Sequence, residues 1–454
     1  MKTLTRSLAA RFRKSIFGLK RNPFLVASML LLAGSASAFA TTDISTLSPA
    51  ANVTISPSAA TDTAWVVSTD TTVGGISWTR TGGGQNFTFN GTPSSTVLTF
   101  QNTSTPTFAT NSFFNGSLYW GNMHVVAASG INVQTGFNNV ILQSGLVWDS
   151  GSAGTMTFTQ PASDGNLVYA QGSGVLASTM DLNLGSGSKG STLVINGGTS
   201  QTIGALTGTS SDYIGAYSDS SQFYNNITPS GANTTGATSA ATLTIGNTGS
   251  SATFSGVIGS TRLNAGTVLD NGSTQGINVV KIGSGTQTLN GANTYTGATT
   301  INGGTLALGS SGSIGSSSGI GIAAGATLDT TAQTTFTLLS AQTITFTLDP
   351  TGSGSAGLIA AAGLDITNAA VDFSTLGTLD DSAYTLATYG SLTGTSFSSV
   401  SNLPSGYTID YNYGGTNNTI ALVAVPEPKE FALAVMGLLG VAILVRRRMA
   451  RFGE

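Results

Sequence analysis

The chain has 454 residues, a formal net charge of −3 and only 8% charged residues, with 60 glycines, one histidine and no cysteine. A globular domain is normally about 25% charged, and the missing charge excludes several classes at once. No clustered Lys/Arg can neutralise nucleic-acid phosphates, no disulfide framework can form, and zinc lacks a ligand set.

The N-terminus carries Lys2, Arg6, Arg11, Arg13, Lys14, Lys20 and Arg21 before an apolar run from Phe24 to Ala33. Small residues follow at Ala36-Ser37-Ala38 and Ala38-Phe39-Ala40. A cationic start, a short apolar core and small residues are the order of a secretory signal peptide, expected over 1–40. Seven of the 16 basic residues precede Phe24 and five follow Pro428, leaving the body Arg80, Lys189, Arg262 and Lys281. Its sixteen acids are all aspartate, so the body alone carries −12. Helices are not expected there, because a solvated helix face wants Glu, Lys, Arg and Gln.

Residues 41–238 hold all four tryptophans, Trp65, Trp78, Trp120 and Trp148. Short β-branched runs then recur between turn residues: Thr192-Leu193-Val194-Ile195, Gln201-Thr202-Ile203, Ala241-Thr242-Leu243-Thr244-Ile245, Ala252-Thr253-Phe254 and Thr286-Gln287-Thr288-Leu289. Asn196-Gly197-Gly198 and Asn302-Gly303-Gly304 punctuate them. Four to six residues at period two, bounded by Asn and Gly, predict many short strands. Strands this short cannot bury an apolar face alone; stacking does so. The fold expected is all-β: an elongated right-handed parallel β-helix or solenoid, with coils of about 20–25 residues spaced ~4.8 Å apart. Threonine suits such a sheet, since its methyl packs while its hydroxyl meets water. Gly309 to Gly319 reads as a flexible loop.

Lys281, Gly283, Gly285, Thr286 and Leu289 are followed by Asn293, Tyr295 and Gly297, then by Ile301, Gly304, Thr305 and Leu306. The order K-x-G-x-G-T-x-x-L, N-x-Y-T-G, T-x-I-x-x-G-T-L resembles the autotransporter-associated β-strand repeat, with one clear copy within 239–330 and weaker echoes at Thr192–Gly208. The resemblance implies a β-helical passenger region. Residues 331–424 change character: Ala383 to Tyr389 and Ser405 to Tyr411 alternate over longer runs, as a C-terminal cap would.

The tail, 425–454, places Pro426-Glu427-Pro428 before an apolar run from Phe431 to Val445, then Arg446-Arg447-Arg448. Arginines resist translocation, so this order predicts a short transmembrane helix with the Pro-Glu-Pro outside. Fifteen residues at ~1.5 Å each make a marginal span. The arrangement resembles the PEP-CTERM sorting signal of exported bacterial proteins. The resemblance implies an exosortase-like processing protease as partner and a location first in the cytoplasmic membrane, then at the cell surface or in the extracellular matrix of a Gram-negative, exopolysaccharide-producing bacterium.

Chemistry is sparse. A Ser-His-Asp triad would have to use His124, and Gly315-Ser316-Ser317-Ser318-Gly319 matches G-x-S-x-G without the helix that a nucleophile elbow needs. Gly185 to Gly190 and Gly352 to Gly357 match G-x-G-x-x-G, which in so glycine-rich a chain reads as turns. Calcium could use aspartates, but the G-G-x-G-x-D nonapeptide is absent, and Asp380-Asp381 reads as a solvated turn. No metal site, cofactor or catalytic residue is therefore expected. The expected function is structural or adhesive, with exposed aromatics of 65–148 and Thr/Ser/Asn ladders offering weak, repeated contact to extracellular polysaccharide. The alternative is a polysaccharide lyase or glycoside hydrolase, which β-helices often host and which needs paired carboxylates.

Overall fold

The computed structural model describes residues 41–426, apart from 44–51, 56–62, 74, 79–86, 92–93, 101–106, 111–113, 135–136, 160–165, 186–189, 218–238, 260, 264–266, 270–275, 352–354 and 416–417, and adds 441–443 and 446. The expected signal peptide, Glu427, Pro428, Arg447, Arg448 and most of the apolar tail lie outside the described residues. Val441 to Ile443 and Arg446 are helical. Among the described residues no helix is long and apolar enough to cross a membrane.

The described body is almost entirely β, its one helical turn being Tyr413–Gly415. Consecutive strands rarely pair with one another. Phe114–Gly121, Met123–Ala127 and Ile131–Gln134 fall in three different sheets, and Phe137–Leu142 returns to the first. There it pairs in parallel with Phe114–Gly121. The chain thus circulates, and each sheet is a column of strands taken from successive circuits.

Registers give the step. Leu118 pairs with Val140, Val140 with Val168 and Val168 with Leu193. Further on, Val279 pairs with Thr299, Thr299 with Ile320 and Ile320 with Ile344, so a circuit there takes 20 to 24 residues. The 36-residue step from Leu243 to Val279 breaks this spacing. It accommodates an antiparallel hairpin, Thr261–Leu263 with Thr267–Leu269, which departs from the parallel plan.

The period-two reading holds at side-chain level. Ala241, Leu243 and Ile245 are buried while Thr242 and Thr244 are half-exposed, and Gln287 and Leu289 point inward between Thr286 and Thr288. Stacking then lines up like with like: Ile301, Ile322, Phe346 and Phe373 form one interior row. Phe346 and Phe373 stack with centroids 6.2 Å apart. Each such fully buried side chain contributes about 1.5–3 kcal/mol.

Two corrections concern the N-terminal half of the stack. Phe89, Phe100 and Trp120 are buried, so the described aromatics of 65–148 do not form the exposed array expected. Phe89 lies in register with Trp120, which meets it and Trp148 edge-on, centroids 6.2 and 5.6 Å apart. Trp148 is half-buried and donates its indole N–H to Val175 O at 3.0 Å. Burial won because large aromatic area is worth most inside a wide coil. Second, Ser191 to Ile195 are all buried, not alternately. Ile141, Tyr169 and Val194 stack on the face opposite Val140, Val168 and Leu193, yet are at most 1% exposed. The hairpin strand Thr261–Leu263 packs against Ser191–Asn196 and Tyr213–Tyr217, so the sheet is covered at those two strands.

At the far end the parallel rule stops. Ala383–Thr393 pairs antiparallel with Thr419–Ala424, and that strand pairs with Tyr407–Asp410. Phe397 meets Tyr411 at 5.4 Å, and Tyr389 Oη donates to Tyr411 O at 2.7 Å.

Replacing Trp120 by alanine removes the centre of the aromatic row, and stability should fall by about 3–5 kcal/mol. Denaturant unfolding of both proteins measures this, and a loss below ~1 kcal/mol would mean that the row carries little of the N-terminal packing.

Candidate functional site

The residues singled out by the repeat motif converge on the corners where circuits touch. Lys281 ends the strand Ile277–Lys281 facing inward and is buried. No acid meets it. Its Nζ donates to three carbonyls, Ile282 O at 2.7 Å, Gly283 O at 3.0 Å and Gly303 O at 3.1 Å. The third belongs to the next circuit, so the ammonium ties two corners together. Burial lowers its pKa from the ordinary lysine value.

Glycine is required at these corners because backbone passes over backbone. Gly283 has φ of 68°, and a Cβ there would stand 2.1 Å from Gly246 O of the preceding circuit. Gly304, at φ 59°, stands in the same relation to Gly283 O. Gly285 and Gly297 sit equally close to backbone oxygens of the circuit before. Thr286, Thr305 and Thr327 pair in turn to form a half-exposed threonine ladder, while Leu289 and Leu306 fill the interior.

Asn293 and Tyr295 occupy the third side of the circuit, where no regular strand forms between Leu289 and Thr299. Asn293 Oδ1 accepts from Ile258 N at 2.8 Å and its Nδ2 donates to Ser313 O at 3.1 Å, bridging the circuits before and after. Tyr295 is buried, and its hydroxyl meets Thr299 Oγ1 at 2.8 Å. Thr299 Oγ1 in turn donates to Ser317 Oγ at 2.9 Å. Burial raises the pKa of the Tyr295 phenol strongly, its bond to Thr299 offsetting only part of the effect.

Ser317 settles two sequence expectations. As the central serine of G-x-S-x-G it is 2% exposed, and its hydroxyl lies against Gly297 O and Gly319 O at 2.9 and 3.0 Å. It fastens a corner. Nor is Gly309 to Gly319 the flexible loop expected: Ile314 is buried, and Gln342 Nε2 donates to Ile314 O and Ser317 O at 2.8 and 2.9 Å. Small polar residues there make specific bonds rather than leaving the backbone to water.

Sequence reasoning missed the buried glutamines. Gln287 Oε1 accepts from Leu206 N and its Nε2 donates to Leu206 O, both at 2.9 Å, closing the open edge of Leu206–Thr207. Gln201 serves Leu176 N and Gly172 O in the same way. The available signal was an amide standing at an inward position of an alternating run.

His124 Nδ1 and Asp149 Oδ1 are 2.8 Å apart on a partly exposed face. Ser317 takes no part in that pair. Several of the described aspartates accept turn hydrogen bonds: Asp212 from Thr209 N, Asp329 from Thr331 N, Asp349 from Thr351 N, Asp365 from Thr367 N and Asp410 from Asn412 N. Among the described residues no three His, Asp or Glu side chains are grouped to hold a metal. Pro426 is exposed just beyond the last strand, and the rest of the sorting motif falls outside the described residues.

Residues 279–308 match the Passenger-associated-transport-repeat family, within the stretch where the motif was read. No curated protein matches the chain. The match supports an autotransporter-passenger-like β-repeat, a kind of segment that belongs to secreted or surface-exposed proteins of Gram-negative bacteria.

Lys281→Met leaves three carbonyls without their donor and should cost about 1–3 kcal/mol, read from denaturant unfolding. Alkaline pH separates the two buried groups. Tyr295 stays neutral when folded but ionises near 10 when unfolded, so its stabilisation is complete below that value and is lost as pH rises further. Lys281 has the opposite sign, its burial cost easing as pH climbs towards its unfolded value of 10.5. Melting temperature should therefore fall less steeply above pH 10 in Tyr295→Phe than in the parent chain.

Proposed function

We propose that this chain is an exported, elongated right-handed parallel β-solenoid that serves a structural or adhesive role at the cell surface or in the extracellular matrix. The single observation that carries the reading is the repeat at 279–308, whose motif residues fall on the corners joining successive circuits. A rod of stacked circuits presents columns of identical groups, such as Thr286, Thr305 and Thr327, along its length. Columns of hydroxyls make individually weak contacts that add through avidity, which suits a hydrated polysaccharide better than a small ligand. With Phe89, Phe100 and Trp120 inside, the glycan contacts in this reading rest on Thr, Ser and Asn rather than on aromatic faces.

Delivery in this reading follows the sequence order at the two ends. A signal peptide over 1–40 starts export, and the apolar segment before Arg446-Arg447-Arg448 holds the precursor in the cytoplasmic membrane. An exosortase-like protease then acts near Pro426-Glu427-Pro428. Among the described residues Ala424 is the last in a strand, and Val425 N donates to Gly406 O at 2.7 Å, so a cut beyond Val425 spares the antiparallel cap. Asp212, Asp329, Asp349, Asp365 and Asp410, each committed to a turn hydrogen bond, favour a non-catalytic role over a lyase or hydrolase.

Two measurements test this. Mass spectrometry of the protein isolated from its host should find an N-terminus near residue 40 and a C-terminus near Pro428; an intact Glu454 would reject the processing step. Small-angle scattering of the mature chain should give an extended profile, and a compact sphere would reject the rod.

A further inference from the structure

Exposed apolar side chains are unevenly placed along the stack. Among the described residues, Leu376, Val400, Leu403, Tyr413 and Val425 are 37% to 66% exposed, while the preceding circuits leave only Val147 and Leu339 comparably bare. All five border the last strands of the two closing sheets. Leu376 follows Ala370–Thr375, Val400 lies in Ser399–Ser401, Tyr413 stands between Tyr407–Asp410 and Thr419–Ala424, and Val425 follows that last strand. Tyr407 N donates to Pro404 O at 3.2 Å and Val425 N to Gly406 O at 2.7 Å, which ties Val425 to the short loop that carries Leu403. Bare apolar surface gathered at one end marks an interaction face.

Three observations identify what covers it. From Ile282 to Val425 the chain holds seven aspartates and no lysine or arginine, so this end has nothing to attract an anionic surface and its contact must be apolar. The edge strand Ser399–Ser401 is three residues long and soon meets Pro404, which makes it a poor template for a strand of another chain. The third observation is the tail. Five residues separate Val425 from Phe431, where the apolar run begins, and even fully extended they reach only about 20 Å. Val441 and Ile443, in the helical tail segment, are more than half exposed, so the stack does not cover them. An apolar run that ends in Arg446-Arg447-Arg448 belongs in a bilayer, and that bilayer then lies within reach of the bare end.

We propose that, while the tail is inserted, the C-terminal end of the stack rests on the outer surface of the bilayer, with Leu376, Leu403 and Tyr413 against neutral lipid. The contact rests on the membrane-held precursor of the preceding reading. Tyrosine suits the headgroup layer, where its ring and hydroxyl meet different surroundings. So small an apolar set holds lipid only while a short tether keeps its effective concentration high. A cut near Pro428 therefore removes the tether and the contact together.

The chain has no cysteine, so single-cysteine variants can each carry one environment-sensitive fluorophore. The test reconstitutes the full chain through its tail into phosphatidylcholine vesicles. Emission from Leu376→Cys, Leu403→Cys and Tyr413→Cys should shift to the blue and be quenched by brominated lipid. Thr305→Cys, half-exposed between Thr286 and Thr327 further back in the stack, should show neither effect. Chains that resist alkaline carbonate washing but keep aqueous emission at the first three positions would overturn the contact and leave the anchor standing. Chains that wash off would overturn the anchor, and the contact with it. Equal quenching at Thr305→Cys would mean that the stack lies along the bilayer, which rejects an end-on contact. A blue shift that needs no lipid and grows with protein concentration would reject it too, giving the face to a second copy of the chain.

Discussion

Everything in this structure depends on the backbone edges of very short strands. A strand of three to five residues cannot shield its own N–H and C=O groups, and its few inward side chains bury little alone. Both problems vanish when the next circuit lies one strand spacing away, ~4.8 Å. The corners must then pass at the same spacing, and there a side chain has no room. Gly246, Gly283 and Gly304 form a column of such corners, each with a neighbouring circuit's carbonyl where a Cβ would go. Glycine is entropically costly, but in this chain it is what lets the sheets stack at all.

The same constraint explains the buried polar residues. Wherever a column is interrupted, by the start of a new sheet or by the irregular third side, carbonyls and amides would be left bare. Gln201, Gln287, Asn293, Gln342 and Lys281 supply bonds at those interruptions. An amide suits the task because it can donate and accept at once, as Gln287 does with both backbone groups of Leu206. A lysine can only donate, and it is found where three carbonyls crowd one corner. The charge-poor composition is consistent with this, since surface columns of like charge would repel at such spacing, whereas columns of threonine do not.

The regular part of the fold was legible because it is periodic. Ala241–Ile245, Ala252–Phe254 and Thr286–Leu289 are strands over the residues whose alternation marked them, and the Asn-Gly pairs fall at their corners. What the alternation could not show is what lies across from each strand. Val194 looks outward by period, yet the hairpin strand Thr261–Leu263, far along the chain, packs against its strand, and Ile141 and Tyr169 on the same face are buried as well. Lys281 was recognised as a motif position, but its partners are carbonyls, which leave no trace in a sequence. The inward turn of Trp120 was hidden for the same reason, since it depends on Phe89 one circuit away.

The two sheets at the C-terminal end are closed differently, and the difference follows from chain direction. One sheet gains the antiparallel strands Thr419–Ala424 and Tyr407–Asp410, which turn its last edge away from further parallel growth. The other simply ends on Ser399–Ser401, all three residues exposed. Val400 pairs with buried Val371 and so faces the interior, yet it is 39% exposed because no circuit covers it. Such an edge would invite another strand. It is blunted by being only three residues long, by Asn402 clasping Asp372 across to the previous strand at 2.7 Å, and by Pro404, which has no N–H to offer. A stack that grows by repetition needs its last unit to be a poor template, and here shortness and proline do for one sheet what reversed strands do for the other.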